Sequence, residues 1–234
     1  MASAPSERIA ITATGELVDD GIARFESLVL PPTYACPGTL RLSRARRTLH
    51  AVWWSPRADS GSRLLAAHSD DDGATWSPVA TVDSLDRGVA GCRRAPPSSA
   101  ADSASGYVHV AYAMHAPEGS GLFFAHSMDG GASFHAPVPL LYGERLGRTS
   151  IAADGDRVAV AFEDPNSGTP RVGLALSGTM GHIFEERVLP VSFDNSTASH
   201  PLVAVRGTRI SVAWRERTIP GGGIALRIRS GSLH

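Results

Sequence analysis

The sequence contains no lysine, and all 22 of its basic residues are arginine. This bias is typical of GC-rich codon usage and does not by itself indicate a function. With 23 acidic residues the formal net charge is −1, so the chain as a whole has no attraction for nucleic acid or anionic membranes. No apolar run approaches the roughly 20 residues that a membrane helix needs. We therefore expect neither a nucleic-acid partner nor insertion into a membrane.

Helical periodicity and a hydrophobic signal region are also lacking. No segment repeats its apolar residues at helical spacing, which excludes a helical bundle. The first residues, MASAPSERIA, are too polar for a secretory signal. The chain is therefore expected to be either cytoplasmic or the mature segment of an exported protein. Apolar residues still make up 42% of the 234 residues, which is enough for the core of one all-β domain.

Aromatic residues are scarce, at 6% of the chain, yet four of them recur at a nearly constant spacing. Each lies in a short run in which apolar residues alternate, as in a β-strand. The spacings of 59, 50 and 52 residues are close to the length of a four-stranded propeller blade. The runs are LHAVWW (49–54), VHVAYA (108–113), VAVAFE (158–163) and ISVAWR (210–215), with the aromatic at Trp53, Tyr112, Phe162 and Trp214.

A second repeated phrase follows each of these runs. SDDDGATW (69–76) returns as SMDGGASF (127–134), and a third copy has Thr179 in place of the aspartate. The fourth copy is cut short after Ser230. Because a short strand precedes each aromatic run and another follows each complete phrase, the repeating unit is predicted to be four antiparallel strands, here named a, b, c and d.

The phrases resemble the Asp-box, or BNR, repeat of the sialidase-like β-propellers, and the resemblance covers residues 19–234. It implies an all-β fold, namely a small β-propeller of about four four-stranded antiparallel blades. A fifth blade follows if residues 8–18 form one more strand. The expected blades cover approximately residues 36–86, 92–142, 147–192 and 199–234.

The last expected blade has no strand d of its own. FESLVLP (25–31) matches the strand-d segment FEERVLP (184–190). We therefore expect residues 19–31 to complete the last blade, so that the N-terminal strand closes the ring. Sialidases of this family have six blades, which makes this chain too short to be a whole one.

In an Asp box the aspartate accepts hydrogen bonds from turn amides, the glycine takes a positive φ, and the aromatic side chain fills the core of the blade. The resemblance therefore implies that the three aspartates at 70–72 belong to the architecture and not to a metal or catalytic site. The structural residues expected in the first two boxes are Ser69, Asp71, Gly73, Thr75 and Trp76, and Ser127, Asp129, Gly131, Ser133 and Phe134.

Strand alternation divides the loops between two faces of the propeller, and the resemblance implies ligand binding on one of them. The boxes and the a–b turns share one face, the box face. The b–c loops and d–a connections share the other, the loop face, where sialidase-like enzymes have their active site. Arginines of this face are candidate ligand-binding residues, because guanidinium groups bind carboxylates through paired hydrogen bonds. They could equally be exposed charges paired with local carboxylates. These arginines are Arg93, Arg94, Arg145, Arg148, Arg215 and Arg217.

The catalytic signature of the sialidases is missing. A retaining sialidase needs a tyrosine nucleophile with a glutamate, an aspartate as acid and base, and three convergent arginines. Its first arginine usually lies in an Arg-Ile-Pro phrase, to which RRAP (93–96) is only a distant match. Tyr142 and Glu144 form the best available catalytic pair, although YGE reads equally well as a loop. We therefore expect a binding protein more than an enzyme.

Cys36 and Cys92 precede the innermost strands of two neighbouring blades, at equivalent places. Three outcomes stay open: a disulfide, which suits an oxidising compartment, two free thiols, or a soft-metal site with His200 as third ligand. A metal ion is the only cofactor that the sequence leaves open. His50 and His109 occupy the same position in neighbouring b strands and are interpreted as core histidines.

The leading functional interpretation is a non-catalytic propeller that binds a glycan, a protein or a metal on its loop face. One alternative is an exo-sialidase-type glycoside hydrolase that acts on an anionic sugar, and another is a metal-binding or redox protein. We expect a periplasmic or extracellular bacterial protein with a carbohydrate or protein ligand, and a cytoplasmic location stays open. Unpaired terminal strands would also allow a homo-oligomer.

Overall fold

The computed structural model describes residues 10–11, 17–18, 35–58, 61–88, 91–194, 196–218 and 222–233. Within these ranges the chain is all-β, with a single 3₁₀ turn at Pro37–Thr39 as its helical element. None of this described part forms a helix that is long and apolar enough to cross a membrane.

Antiparallel sheets follow one another along the chain, and in the first three the strands run in the predicted order a, b, c, d. The first sheet contains β3 (Arg41–Ala45), β4 (Thr48–Pro56), β5 (Ser62–Ser69) and β6 (Ala80–Asp83). The second contains β7 (Ser98–Ala101), β8 (Val108–Ala116), β9 (Gly119–Ser127) and β10 (Val138–Tyr142). The third contains β11 (Thr149–Asp154), β12 (Arg157–Glu163), β13 (Val172–Ser177) and β14 (Glu186–Pro190).

The fourth sheet has strands a, b and c only: β15 (Ser196–Arg206), β16 (Arg209–Thr218) and β17 (Ile224–Ser232). A separate hairpin pairs β1 (Ala10–Ile11) with β2 (Leu17–Val18). The all-β fold and the small propeller of about four blades are confirmed. The N-terminal strand expected at residues 19–31 lies outside the described residues.

The hydrophobic core lies between the blades, and each main cluster joins two consecutive blades. Tyr112 of the second blade packs with Trp54 of the first, and Phe162 of the third packs with Phe124 of the second. Trp214 of the fourth blade packs into the third in the same way. Burying one large apolar side chain stabilises the fold by about 2–3 kcal/mol. Three of the four recurring aromatics, Tyr112, Phe162 and Trp214, therefore pack against the preceding blade, whereas Trp53 packs within the first blade.

The box turns are held by side-chain hydrogen bonds. The Asp71 carboxylate accepts from the Thr75 amide at 2.8 Å, the Thr75 hydroxyl at 2.7 Å and the Ser69 hydroxyl at 2.8 Å. These bonds, the Thr75 amide first, lower the pKa of Asp71 to about 2. Gly73 has φ +96°, where a side chain would be strained. Asp129 makes the same set of contacts in the second box.

The histidines of strands b are buried, as expected for core residues, but their ring nitrogens are not all satisfied. His50 is 4% exposed and its Nδ1 has no hydrogen-bond partner. His109 is 0% exposed, and neither of its ring nitrogens has one. Burial, followed by neighbouring histidines, lowers the pKa of each to about 4. His126 lies beside His109, and the same causes lower its pKa to about 4.

Candidate functional site

Two cavities lie next to each other on the loop face. The first, the side cleft, has a volume of about 490 Å³ and lies at the first and second blades. The second, the axial cavity, has a volume of about 430 Å³ and lies where strands a of all four blades converge. Ala95 lines the cleft and the next residue, Pro96, lines the axial cavity. A single extended ligand could therefore contact both.

A buried ion pair forms one wall of the side cleft. Arg94 Nη1 lies 2.8 Å from Asp86 Oδ2, with the two side chains 10% and 1% exposed. The guanidinium carbon also lies 4.9 Å from the centroid of the Trp54 ring, a cation–π distance. Asp86 accepts the Ser62 amide at 2.8 Å as well. These contacts hold Arg94 in one orientation at the cleft wall.

A polar chain lies next to this ion pair, since the His115 amide donates to Asp86 Oδ1 at 3.3 Å. His115 Nδ1 lies 2.8 Å from the Ser120 hydroxyl, which donates to Glu144 Oε2 at 3.2 Å. Because the serine proton goes to the carboxylate, His115 donates from Nδ1 to the serine oxygen. The cleft thus combines guanidinium donors with a carboxylate acceptor.

A disulfide joins Cys36 to Cys92, with the two Cα atoms 5.2 Å apart. The Cys36 amide donates to the Trp54 carbonyl at 2.8 Å, so the bridge ties the chain that carries Arg93 and Arg94 to the strand that carries Trp54. Of the three outcomes that the sequence left open, the structure has the disulfide, which leaves neither sulfur as a thiolate ligand for a metal site with His200. In the described residues, no three His, Cys, Asp or Glu side chains are placed to hold a metal ion.

Two arginines from different blades line the axial cavity. Arg41 comes from the first blade and Arg148 from the third. Burial first, and then the charge of Arg148, lowers the pKa of Arg41. Neither guanidinium forms an ion pair with a carboxylate of the described chain. In the described residues, the axial cavity therefore holds two guanidinium groups that form no ion pair with a carboxylate.

Glu163 positions two residues of this cavity through their backbones. Its Oε2 accepts the Arg148 amide at 3.0 Å, and its Oε1 accepts the His200 amide at 2.8 Å. His200 has φ +55°, an uncommon conformation for a residue with a side chain. It lies where the pairing of β15 with β16 shifts register, between Ser199 and Leu202. The bulge places His200 at the cavity.

Hydroxyl groups near the axis join each pair of consecutive blades. Blades one and two are linked by Ser43 and Ser99 at 3.2 Å, blades two and three by Ser98 and Thr149 at 2.9 Å, and blades three and four by Ser150 and the Val203 amide at 3.1 Å.

Comparison with known proteins identifies the fold. No protein-family model and no curated protein sequence matches the chain. Among solved structures, the Hadza microbial sialidase Hz136 matches with a TM-score of 0.55 and 18% identity over 82% of this chain and 44% of that one. A protein of unknown function from Dyadobacter fermentans matches with a TM-score of 0.52 and 18% identity, over 78% of this chain and 49% of that one. The NanB sialidase from Streptococcus pneumoniae matches with a TM-score of 0.51 and 12% identity, over 84% of this chain and 50% of that one. The chain has a sialidase-like propeller fold. It spans half or less of the length of these three proteins.

Within this sialidase-like propeller, three of the six predicted arginines line the cavities. Arg93 and Arg94 line the side cleft and Arg148 lines the axial cavity. Arg145 instead donates to the carbonyl groups of Ser167 at 3.2 Å and Gly168 at 2.6 Å. The last two, Arg215 and Arg217, are exposed on β16, on the side that faces away from the third blade. The six arginines therefore do not converge on one point.

The tentative catalytic pair of the sialidase-like propeller is separated by its contacts. The Tyr142 ring packs edge-on against Phe123, with centroids 6.1 Å apart. Glu144 instead takes the hydrogen bond from Ser120 and lines the side cleft. In the described residues, no hydrogen bond joins the Tyr142 hydroxyl to Glu144.

Four residues of the site were missed by sequence reasoning: Arg41, Asp86, His115 and Ser120. Arg41 begins the first strand a, so counting the first residue of each strand a would have found it. Asp86, His115 and Ser120 lie in or beside loops, where no periodic pattern indicates which side chains meet.

Proposed function

We propose that this sialidase-like propeller binds a glycan that carries an acidic group, on its loop face and without hydrolysing it. The observation that carries the proposal is the pair of guanidinium groups, Arg41 and Arg148, that share the axial cavity without a carboxylate partner in the described residues. A carboxylate or sulfate placed between them would relieve their repulsion and accept charged hydrogen bonds.

The adjoining side cleft suits the neutral part of such a ligand. Sugar hydroxyl groups both donate and accept, and the cleft supplies Arg93 and Arg94 as donors with Glu144 as acceptor. Its walls are fixed by the Asp86 ion pair and by the disulfide, so little ordering is needed on binding. The named sialidases among the similar structures add support for a carbohydrate ligand.

Binding without hydrolysis is proposed because the residues that the sequence offered for chemistry are used differently. Tyr142 packs against Phe123, and Glu144 is bonded to Ser120. A covalent mechanism would need the tyrosine oxygen and an activating carboxylate within hydrogen-bond reach of each other.

Isothermal titration calorimetry with 3′-sialyllactose, trigalacturonate and lactose tests the proposal. We expect the acidic probes to bind and lactose to bind at least tenfold more weakly. Arg148→Ala should weaken the acidic probes by about 10- to 100-fold, since a hydrogen bond between charged groups contributes about 1.5–3 kcal/mol. The matched control is Arg157→Ala, on the box face and paired with Asp156, which should leave binding unchanged. Equal binding of acidic and neutral probes, or none, would contradict the proposal.

The same preparations decide between the alternatives. Turnover of a fluorogenic sialoside that is abolished by Arg148→Ala would establish an anionic-sugar hydrolase in place of a binding protein. Stoichiometric metal together with two titratable thiols would instead restore the metal or redox interpretation of Cys36 and Cys92.

A further inference from the structure

Another cavity, the box-face cavity, opens on the box face between the first and second blades. It has a volume of about 260 Å³. Its wall in the first blade includes Thr48, His50 and His68, and its wall in the second blade includes Asp102 and Gly130. It shares no lining residue with the side cleft or the axial cavity, so it is separate from the glycan site proposed on the loop face.

The strand registers identify the equivalent space between the second and third blades. In both blades a histidine of strand b pairs with a histidine of strand c. Thr48 in the first blade and Tyr107 in the second each stand two residues before the histidine of strand b, so they occupy the same position. The two histidine pairs are His50 with His68 and His109 with His126.

A tyrosine ring lies across this equivalent space. The Tyr107 ring is stacked on His126, with centroids 6.0 Å apart and an angle of 7° between the ring planes. It also lies edge-on to His182 of the third box, with centroids 6.1 Å apart. The chain itself therefore places a phenol ring between the second blade and the third.

Smaller side chains explain why the space between the first and second blades is a cavity. Thr48 stands where the second blade has Tyr107, and Gly130 stands where the third box has Met180. Both of the smaller residues line the cavity. Because protein interiors are otherwise closely packed, the cavity is the space of one tyrosine ring that the first blade does not fill with a side chain of its own at this position.

The walls of the box-face cavity have unused capacity for hydrogen bonds. His50 is 4% exposed and its Nδ1 has no hydrogen-bond partner, and the buried Nδ1 of His68 has none either. A buried polar atom of this kind favours a ligand that carries a hydroxyl group. Carboxylates outnumber guanidinium groups in the lining, which disfavours an anion. The charged lining residues are Asp70, Asp102, Asp129 and Arg46.

We propose that the box-face cavity binds the phenol ring of an uncharged ligand, stacked on His68 as the Tyr107 ring is stacked on His126. Aromatic rings gain by packing in this way when they leave water. Two sources present the same chemical group: a free small phenol and the tyrosine side chain of a polypeptide. Such a site is independent of the acidic glycan on the loop face, and each can be tested without the other.

Nuclear magnetic resonance of the full chain, isotopically labelled at the histidine Cε1 atoms, tests the site. p-Cresol should shift the signals of His50 and His68, assigned with His50→Gln and His68→Gln, and leave those of His115 and His200 on the loop face unchanged. 4-Hydroxyphenylacetate adds a carboxylate to the same ring and should bind several-fold more weakly. N-acetyltyrosinamide distinguishes the sources: the same shifts show that a tyrosine side chain enters the cavity, and shifts with p-cresol alone show that only a free phenol does.

A tyrosine supplied by the chain should compete with p-cresol for the cavity. Thr48→Tyr should therefore weaken p-cresol binding by about tenfold or more. The matched control is Arg157→Tyr, at the same strand position in the third blade, since Arg157 precedes the partner of Ser177 as Thr48 precedes the partner of Ser69. This control should bind p-cresol as the wild type does.

Gly130→Met narrows the cavity from the opposite wall and decides the question if Thr48→Tyr does not fold. Gly130 has φ +70°, and Met180 adopts φ +56° at the same position of the third box, so methionine is compatible with this turn. Gly130→Met should also weaken p-cresol binding. The proposal is overturned if p-cresol shifts neither His50 nor His68, or if both cavity variants bind p-cresol as tightly as Arg157→Tyr does.

Discussion

Acid should destabilise this propeller through His109, and the substitution His109→Leu should remove that sensitivity. The ring is 0% exposed, stacks beside Phe124 with centroids 5.9 Å apart, and has no partner for either nitrogen. Burial, then the charge of His126, lowers its pKa from 6.5 to about 4, while Asp102 opposes the shift and His182 adds to it. The folded protein therefore resists protonation of this side chain.

The sign and size of the effect follow from this shift. Between the unfolded pKa of 6.5 and the folded pKa of about 4, the unfolded chain binds the proton and the folded chain does not. The free energy of unfolding therefore falls as the pH falls through this window, and is fully retained above it. A change in the pKa of buried His109 from 6.5 to about 4 corresponds to about 3 kcal/mol in the free energy of unfolding.

Urea unfolding followed by tryptophan fluorescence at pH 4, 5, 6, 7 and 8 measures the effect. Between pH 7 and pH 4, the free energy of unfolding of the wild type should fall by about 3 kcal/mol more than that of His109→Leu. Asp71 and Asp129 have pKa values of about 2. Their contribution to the free energy of unfolding is therefore lost mainly below pH 4. The control His115→Leu changes an exposed histidine on the loop face and should follow wild type. Parallel curves for wild type and His109→Leu would refute the reasoning.

Three further predictions concern single contacts. Asp129→Ala removes the hydrogen bonds of the second box and should lower the free energy of unfolding by about 1–2 kcal/mol in urea titrations, with glycan binding unchanged in calorimetry. Reduction of the disulfide between Cys36 and Cys92, which lie 56 residues apart, should cost about 4 kcal/mol from loop entropy and weaken binding in the side cleft. Tyr112→Phe removes the 2.5 Å hydrogen bond to the buried Asp83, and should cost about 2–3 kcal/mol in the same titration.

The blade architecture could be predicted from the sequence because it depends on local sequence patterns. Trp53, Tyr112, Phe162 and Trp214 mark strand b of each blade, and the box phrase marks the turn that follows. Both signals depend on side chains a few residues apart, where strand alternation and turn geometry restrict the possible contacts.

The site was predicted only in part because its contacts join blades. Glu163 supports Arg148 and His200, which lie 15 and 37 residues away in the chain. Which loop residues meet depends on how neighbouring blades pack against each other, and that packing joins residues far apart in the sequence. Arg148 was identified by its loop position, while Arg41 and His115 were not.

The contact between consecutive blades has a consequence for how the protein opens. An array in which each unit is stabilised mainly by its neighbours unfolds from its least supported end. The fourth blade has an exposed β17, and the third box before it has Thr179 in place of the aspartate, so the amides of the fourth blade should exchange with deuterium first. The amides of β8 and β9, packed between two complete blades and held by the box of Asp129, should exchange last. Native-state hydrogen exchange would then show a gradient of protection along the ring, decreasing from the second blade towards the fourth.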